Sequence, residues 1–140
     1  MAEGQPYKKP LPIPENDKVT KAFWEATKQH KLVVPRCKDC GYFHFYPREQ
    51  CPHCMSKKLE WTEVSGKARL HTFTIVHQPA HPAFNEDVPY AHCVIELNEG
   101  VRMISNVVGI DPHKLEIDMP LEVVFDDVTP EWTLVKFKPA

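Results

Sequence analysis

Glycine is scarce in this sequence, five residues in 140, and none falls in a run that could cradle a phosphate. No apolar stretch approaches the roughly 18 residues that a membrane-crossing helix needs. The first residues lack the basic-then-apolar order and the cleavage signal of an export leader, so a cytoplasmic, thiol-reducing setting is expected, with no membrane partner. Ser, His and Asp do not occur in the order of a hydrolytic triad, and no pair of carboxylates stands in an apolar setting. Excess positive charge is also missing: the formal net charge is −2. Residues 1–65 carry 11 Lys and Arg against 8 Asp and Glu, while residues 66–140 carry 6 against 11. A binder of single-stranded nucleic acid needs a basic groove with stacking aromatics, and the acidic second half argues against that class.

Proline and cysteine are what the chain does have. Fourteen prolines imply many fixed bends and few long helices, and fourteen valines against eight leucines favour strands. Four of the five cysteines form two closely spaced pairs, Cys37-Lys-Asp-Cys40-Gly41 and Cys51-Pro52-His53-Cys54. Each Cys-x-x-Cys turn can aim two thiolates at one point, and four thiolates at about 2.3 Å complete a tetrahedral shell with no position open for water or substrate. The spacing thus predicts a structural metal site on Cys37, Cys40, Cys51 and Cys54. Zinc and iron both suit four thiolates, and the residues alone leave the two open. His44 and His53 lie near in sequence and are expected at the surface, since four thiolates already fill the shell.

Along the chain, prolines at 6, 10, 12 and 14 forbid helix and leave an extended arm. Asn16 or Asp17 caps an expected helix to about His30, with Val19, Phe23, Ala26 and His30 on one face and Trp24 beside it. A short strand, Leu32–Val34, enters the first knuckle, and the aromatic run from Tyr42 to Pro47 reads as the hairpin between the knuckles. From Gly66 onward the pattern is β: residues 67–77, then Ala91 to Asn98 with Ala91, Cys93, Ile95 and Leu97 facing inward, a turn at Asn98-Glu99-Gly100, and Val101 to Ile110. Asp111-Pro112 opens a helical turn or two, Leu121 to Phe125 and Trp132 to Phe137 follow, and Asp126-Asp127 reads as a turn. Five strands with a short helix between the third and fourth is the element order of an OB-fold; a barrel of the SH3 kind is the alternative. The fold class is therefore mainly β: an N-terminal helix, a zinc ribbon, then a five-stranded OB-fold barrel. Expected boundaries are an arm and helix over 1–31, the ribbon over 32–62 and the barrel over 63–140.

Other candidates for chemistry are few. Cys93 sits at an inward strand position and reads as an inert core thiol. His71, His77, His81 and His92 read as a solvated barrel rim. The proline-rich loop from Gln78 to Pro89 is the natural lip of a binding surface, with His77, His81, Phe84 and Tyr90 as its candidate ligand residues. Phe23 and Trp24, on a helix short enough to be marginal alone, are candidates for contact with a partner.

At this point the residues resemble a known family, the acyl-CoA-associated OB-fold proteins, in which a rubredoxin-like zinc ribbon precedes the barrel. The likeness runs through Phe23-Trp24, Arg36-Cys37-x-x-Cys40-Gly41, Pro47-Arg48, Cys51-Pro52-x-Cys54, Leu59-Glu60-Trp61 and Val64-Ser65-Gly66. It continues through Pro89-Tyr90, Glu99-Gly100-Val101-Arg102 and Asn106-Val107-Val108 to Met119-Pro120-Leu121-Glu122-Val123-Val124-Phe125. The resemblance implies structural zinc on the four cysteines and no catalysis by this chain alone. It implies an accessory subunit of a thiolase-fold acyl-CoA thiolase or aldolase, with a CoA thioester shared with the partner; some relatives associate with hot-dog-fold hydratases. Two other readings stand beside it, a stand-alone acyl-CoA binder and a single-stranded nucleic-acid binder. Met55 and Asp118 occupy positions where relatives often carry a small residue or glycine.

Overall fold

The protein is described by a computed structural model covering residues 7–11 and 18–140. A helix, α1 (Lys21–Lys28), leads into a two-stranded antiparallel ribbon of β1 (Val33–Cys37) and β2 (Leu59–Glu63). Five further strands follow: β3 (Lys67–Val76), β4 (Tyr90–Leu97), β5 (Arg102–Ser105), β6 (Pro120–Asp127) and β7 (Thr133–Pro139). They form one antiparallel sheet in the order β5-β4-β3-β6-β7. Period-two alternation in β4 buries Ala91, Cys93, Ile95 and Leu97, and a register shift between Leu70 and Thr72 bends β3 so that the sheet curls. The two edges then meet. Val107 bridges Phe137 in parallel, the Phe137 N–H donates to Asn106 O at 2.9 Å, and the Ser105 hydroxyl donates to Val135 O at 2.8 Å. With a 3-10 turn at Pro112–Lys114 between β5 and β6, capped by Asp111, this is the OB-fold rather than the SH3-like alternative.

Several local expectations are corrected by long-range packing. Asn16 and Asp17, the expected helix caps, lie outside the described residues; the described helix starts after Thr20 and buries Phe23 and Thr27. The ring of Phe23 packs against Trp24 at 5.0 Å and Phe45 at 5.4 Å, and Trp24 meets Trp132 at 5.1 Å. Phe23 is thus buried in this chain's own core cluster. His30 leaves the helix at φ 57°, stacks on Phe125 and places Nε2 at 3.0 and 2.9 Å from the two Asp127 carboxylate oxygens. Asp126 and Asp127 are accordingly in β6, paired with Leu134 and Thr133, and do not form a turn. The return strand after Gly100 ends at Ser105, because the next residues turn away to close against β7. The aromatic run between the knuckles pairs with β1 only at Phe43, and the partner strand of β1 is Leu59–Glu63.

The described part of the proline arm lies on its own barrel. Lys9 Nζ sits 2.6 Å from Asp87 Oδ2 and 5.7 Å from the Phe84 ring centroid. Among the described residues, no helix is long and apolar enough to cross a membrane.

Candidate functional site

The two knuckles are built alike. Cys37 O accepts from the Gly41 N–H at 2.9 Å and the Cys37 N–H donates to Tyr42 O; Cys51 O accepts from the Met55 N–H at 2.9 Å and the Cys51 N–H donates to Ser56 O. The residue that follows each Cys-x-x-Cys must take positive φ to close the turn: Gly41 has φ 75° and Met55 has φ 65°. Cys37 and Cys51 are buried, Cys40 and Cys54 exposed, and the four sulfurs lie within 4.8 Å of one another. Cys37 Sγ to Cys54 Sγ is 3.5 Å and Cys40 Sγ to Cys51 Sγ is 3.6 Å. A disulfide would need about 2.05 Å, whereas the edge of a tetrahedron with 2.3 Å zinc–sulfur bonds is about 3.8 Å. The cysteines therefore fit a four-thiolate zinc ion. Neither His44 nor His53 joins the cluster.

The electrostatics of the sulfurs point the same way. The Cys40 backbone N–H, foremost among its neighbours, pulls the Cys37 thiol down to about 6. For Cys54 the Ser56 N–H is the largest single influence and lowers it, but the Cys37 sulfur, burial and the other two sulfurs outweigh it and push the thiol up to about 12. At Cys40 the Tyr42 N–H also lowers, and burial with the Cys37 and Cys51 sulfurs raises the thiol overall. Four thiolates this close repel one another unless a cation sits among them.

The other candidate residues are divided by the structure. Phe84 and Tyr90 line one cavity of about 380 Å³ together with Tyr7, Lys9 and Lys136. His77 and His81 stay outside it: His77 packs toward His113, and the His81 ring accepts from the Ala83 N–H to cap the turn at Pro82–Phe84. Lys9 and Lys136 are brought to this loop from opposite ends of the chain. Each is held by a carboxylate, Asp87 and Asp126 respectively, at 2.6 Å. Cys93 is fully buried and burial raises its thiol, as suits a core residue. His44, expected at the surface, is 5% exposed and stands beside a cleft between ribbon and barrel. No local pattern marks that cleft, although Arg48 and Glu99-Gly100-Val101-Arg102, which line part of it, fall in stretches that carry the family resemblance.

A thiolate knuckle pair on a β-ribbon, followed by a closed five-stranded barrel, defines a zinc-ribbon and OB-fold protein. The chain belongs to the DUF35 family: the model of the ChsH2 rubredoxin-like zinc ribbon domain matches residues 24–60, and that of the ChsH2 C-terminal OB-fold domain matches residues 61–126. A DUF35 domain-containing scaffold protein of Methanocaldococcus jannaschii is 37% identical over 111 residues, covering 78% of each chain. A probable enoyl-CoA hydratase alpha subunit of Thermomonospora curvata is 42% identical over 120 residues; the match takes in 85% of this chain but only 37% of that longer protein. Among solved structures, a chain of the Ltp2-ChsH2(DUF35) aldolase superposes with a TM-score of 0.81 at 37% identity, over 91% of this chain and 98% of that one.

Proposed function

We propose that this chain is a non-catalytic accessory subunit of a thiolase-fold enzyme that acts on CoA thioesters, with structural zinc held by Cys37, Cys40, Cys51 and Cys54. The observation that carries the reading is the near end-to-end likeness to the DUF35 chain of an aldolase complex. The shell of four thiolates supports it, because a filled tetrahedron offers substrate no open position. The hydratase alpha subunit among the relatives supports a CoA-thioester setting. The ribbon and barrel act as scaffold, and the partner supplies the reacting groups.

If the CoA thioester touches this chain, the cavity lined by Phe84, Tyr90, Lys9 and Lys136 is the fitting place. Both lysines are already held by carboxylates, so CoA phosphates would have to displace Asp87 and Asp126. This favours a partner that provides the main grip over a stand-alone acyl-CoA binder. The test is to express the tagged chain in its native host and identify what co-elutes on a sizing column, with metal and activity measured on the same fractions. A co-eluting thiolase-fold subunit, about one zinc per chain, and acyl-CoA turnover only in the complex are expected. Turnover by the isolated chain, or no partner at all, sinks the reading.

A further inference from the structure

A buried polar atom left without a hydrogen bond is costly, so folded chains leave few of them. Among the described residues, the buried side-chain atoms without a partner are Nδ1 and Nε2 of His44 and Oε1 of Glu99. Both residues line the same feature, an open cleft of about 730 Å³ between the zinc ribbon and the turn joining β4 to β5. The ribbon holds His44 there through its N–H to Pro35 O at 3.1 Å. The barrel holds Glu99, whose other carboxylate oxygen accepts from the Ser65 N–H at 3.2 Å. Burial, and then the charge of Arg48, lower the His44 pKa, so the neutral ring offers one donor and one acceptor. Two cations face the cleft: Arg48 from the ribbon, without an ion-pair partner among the described residues, and Arg102 from β5, held on one side by Glu96 at 3.4 Å. Tyr42 and Tyr46, 46% and 53% exposed, stand on its rim, and the Tyr46 hydroxyl ties the rim to the barrel by accepting from the Ile104 N–H.

An occupant that satisfies these groups must donate to Glu99, pair both ways with His44 at a separate point, and carry negative charge toward the two arginines. Sulfate or chloride has no donor for Glu99, hydrogenphosphate gives its one O–H there and has none left for His44, and a nucleic-acid strand would set phosphates beside that carboxylate. An extended peptide alternates N–H and C=O along its length, and an Asp or Glu side chain on it meets the arginines. Tyr and Arg around a recess are also the residue types enriched where protein interfaces concentrate their binding energy. We propose that the ribbon–barrel cleft is the docking surface for a short, extended, acidic segment of the partner subunit. This rests on the reading above that a partner subunit exists.

The experiment uses the full chain co-expressed with its partner, carrying a photo-crosslinking phenylalanine analogue in place of Tyr42 or, as a remote control, of Ile117. Irradiation of the intact complex and mass spectrometry of the joined peptides should show the Tyr42 probe on a partner segment containing Asp or Glu, with the Ile117 probe not on that segment. Arg48→Glu should weaken co-elution about tenfold with zinc content and thermal transition unchanged, and Lys in place of the crosslinked acidic residue should restore it. A partner that co-elutes undiminished with Arg48→Glu, or that crosslinks to the Tyr42 probe only through a segment without acidic residues, overturns the proposal and leaves the accessory-subunit reading intact. Affinity of the isolated chain for a single-stranded oligonucleotide that Arg48→Glu abolishes would assign the cleft to nucleic acid and likewise overturn it. If no partner co-elutes in the first place, both readings fall.

Discussion

Met55 and Asp118 do the work of glycines at φ 65° and 66°. A side chain in the left-handed region costs about 1–2 kcal/mol, less for Asp, which tolerates it. Met55 is 65% exposed, so little packing offsets the strain. Met55→Gly should therefore stabilise the metal-loaded protein by about 1 kcal/mol, read as a shift of its denaturant midpoint. Asp118→Gly should gain less, because it removes the contact with Arg69 at 3.1 Å. Glu96 makes a different argument. Its carboxyl lies below the ordinary range through the hydrogen bond from Arg69 first, then, against burial, the charges of Arg69 and Arg102. A carboxyl depressed by folding contributes stability that is complete above its unfolded pKa and is lost as pH falls through the folded one. Glu96→Gln should thus be less stable than the parent at neutral pH, with the gap narrowing as the solution is acidified below the ordinary carboxylate range. Denaturant midpoints of the two proteins measured side by side check this, since acid loss of metal affects both alike.

At the scale of elements, α1 is a plug as much as an appendage. Eight residues cannot hold a helix alone, and this one is fixed by Phe23 in the core, Trp24 on Trp132 and the His30–Asp127 contact beyond its end. Phe23→Ala should destabilise the whole protein by about 3 kcal/mol or more, the usual cost of emptying a buried phenylalanine site. The readout is the thermal transition of the barrel. An unchanged transition would show that the helix belongs to a partner after all. The helical stripe read from sequence found Phe23, but its apolar character alone could not say which surface it covers. Periodicity fixes a face, and only packing assigns the face a neighbour.

For the whole molecule the decisive feature is that ribbon and barrel share one core. Leu32 and Val34, from the root of the ribbon, are buried in the same cluster as Leu70, Ile95 and Phe137 of the barrel. The ribbon's outer part has few such contacts, so removal of zinc by a chelator should unfold it. Hydrogen exchange should show protection lost around Cys37–Cys54 first. The barrel's thermal transition should fall as well, because β1 and Phe45 brace α1 against the sheet. A chelated protein with an unshifted barrel transition would mean that the two parts are thermodynamically separate.

Features that depend on neighbours a few positions apart could be read from the residues alone. Two Cys-x-x-Cys turns, the alternation Ala91-Cys93-Ile95-Leu97, the glycine after Asn98-Glu99 and the Asp111-Pro112 cap each act over one turn or one strand, and each was legible. Tertiary structure decided what joins distant positions. Asp126 and Asp127 pair with Leu134 and Thr133 of the last strand, so an expected turn is strand, and His30, 97 positions before Asp127, meets it there. Lys9 reaches Asp87, which sets the described part of the proline arm on its own barrel. His44 and Glu99 share a cleft that neither stretch announces. The physical reason is the same throughout: turns and strand faces are set by short-range dihedral and periodicity constraints, whereas burial and pairing of single side chains are set by which remote surfaces the closing barrel brings into contact.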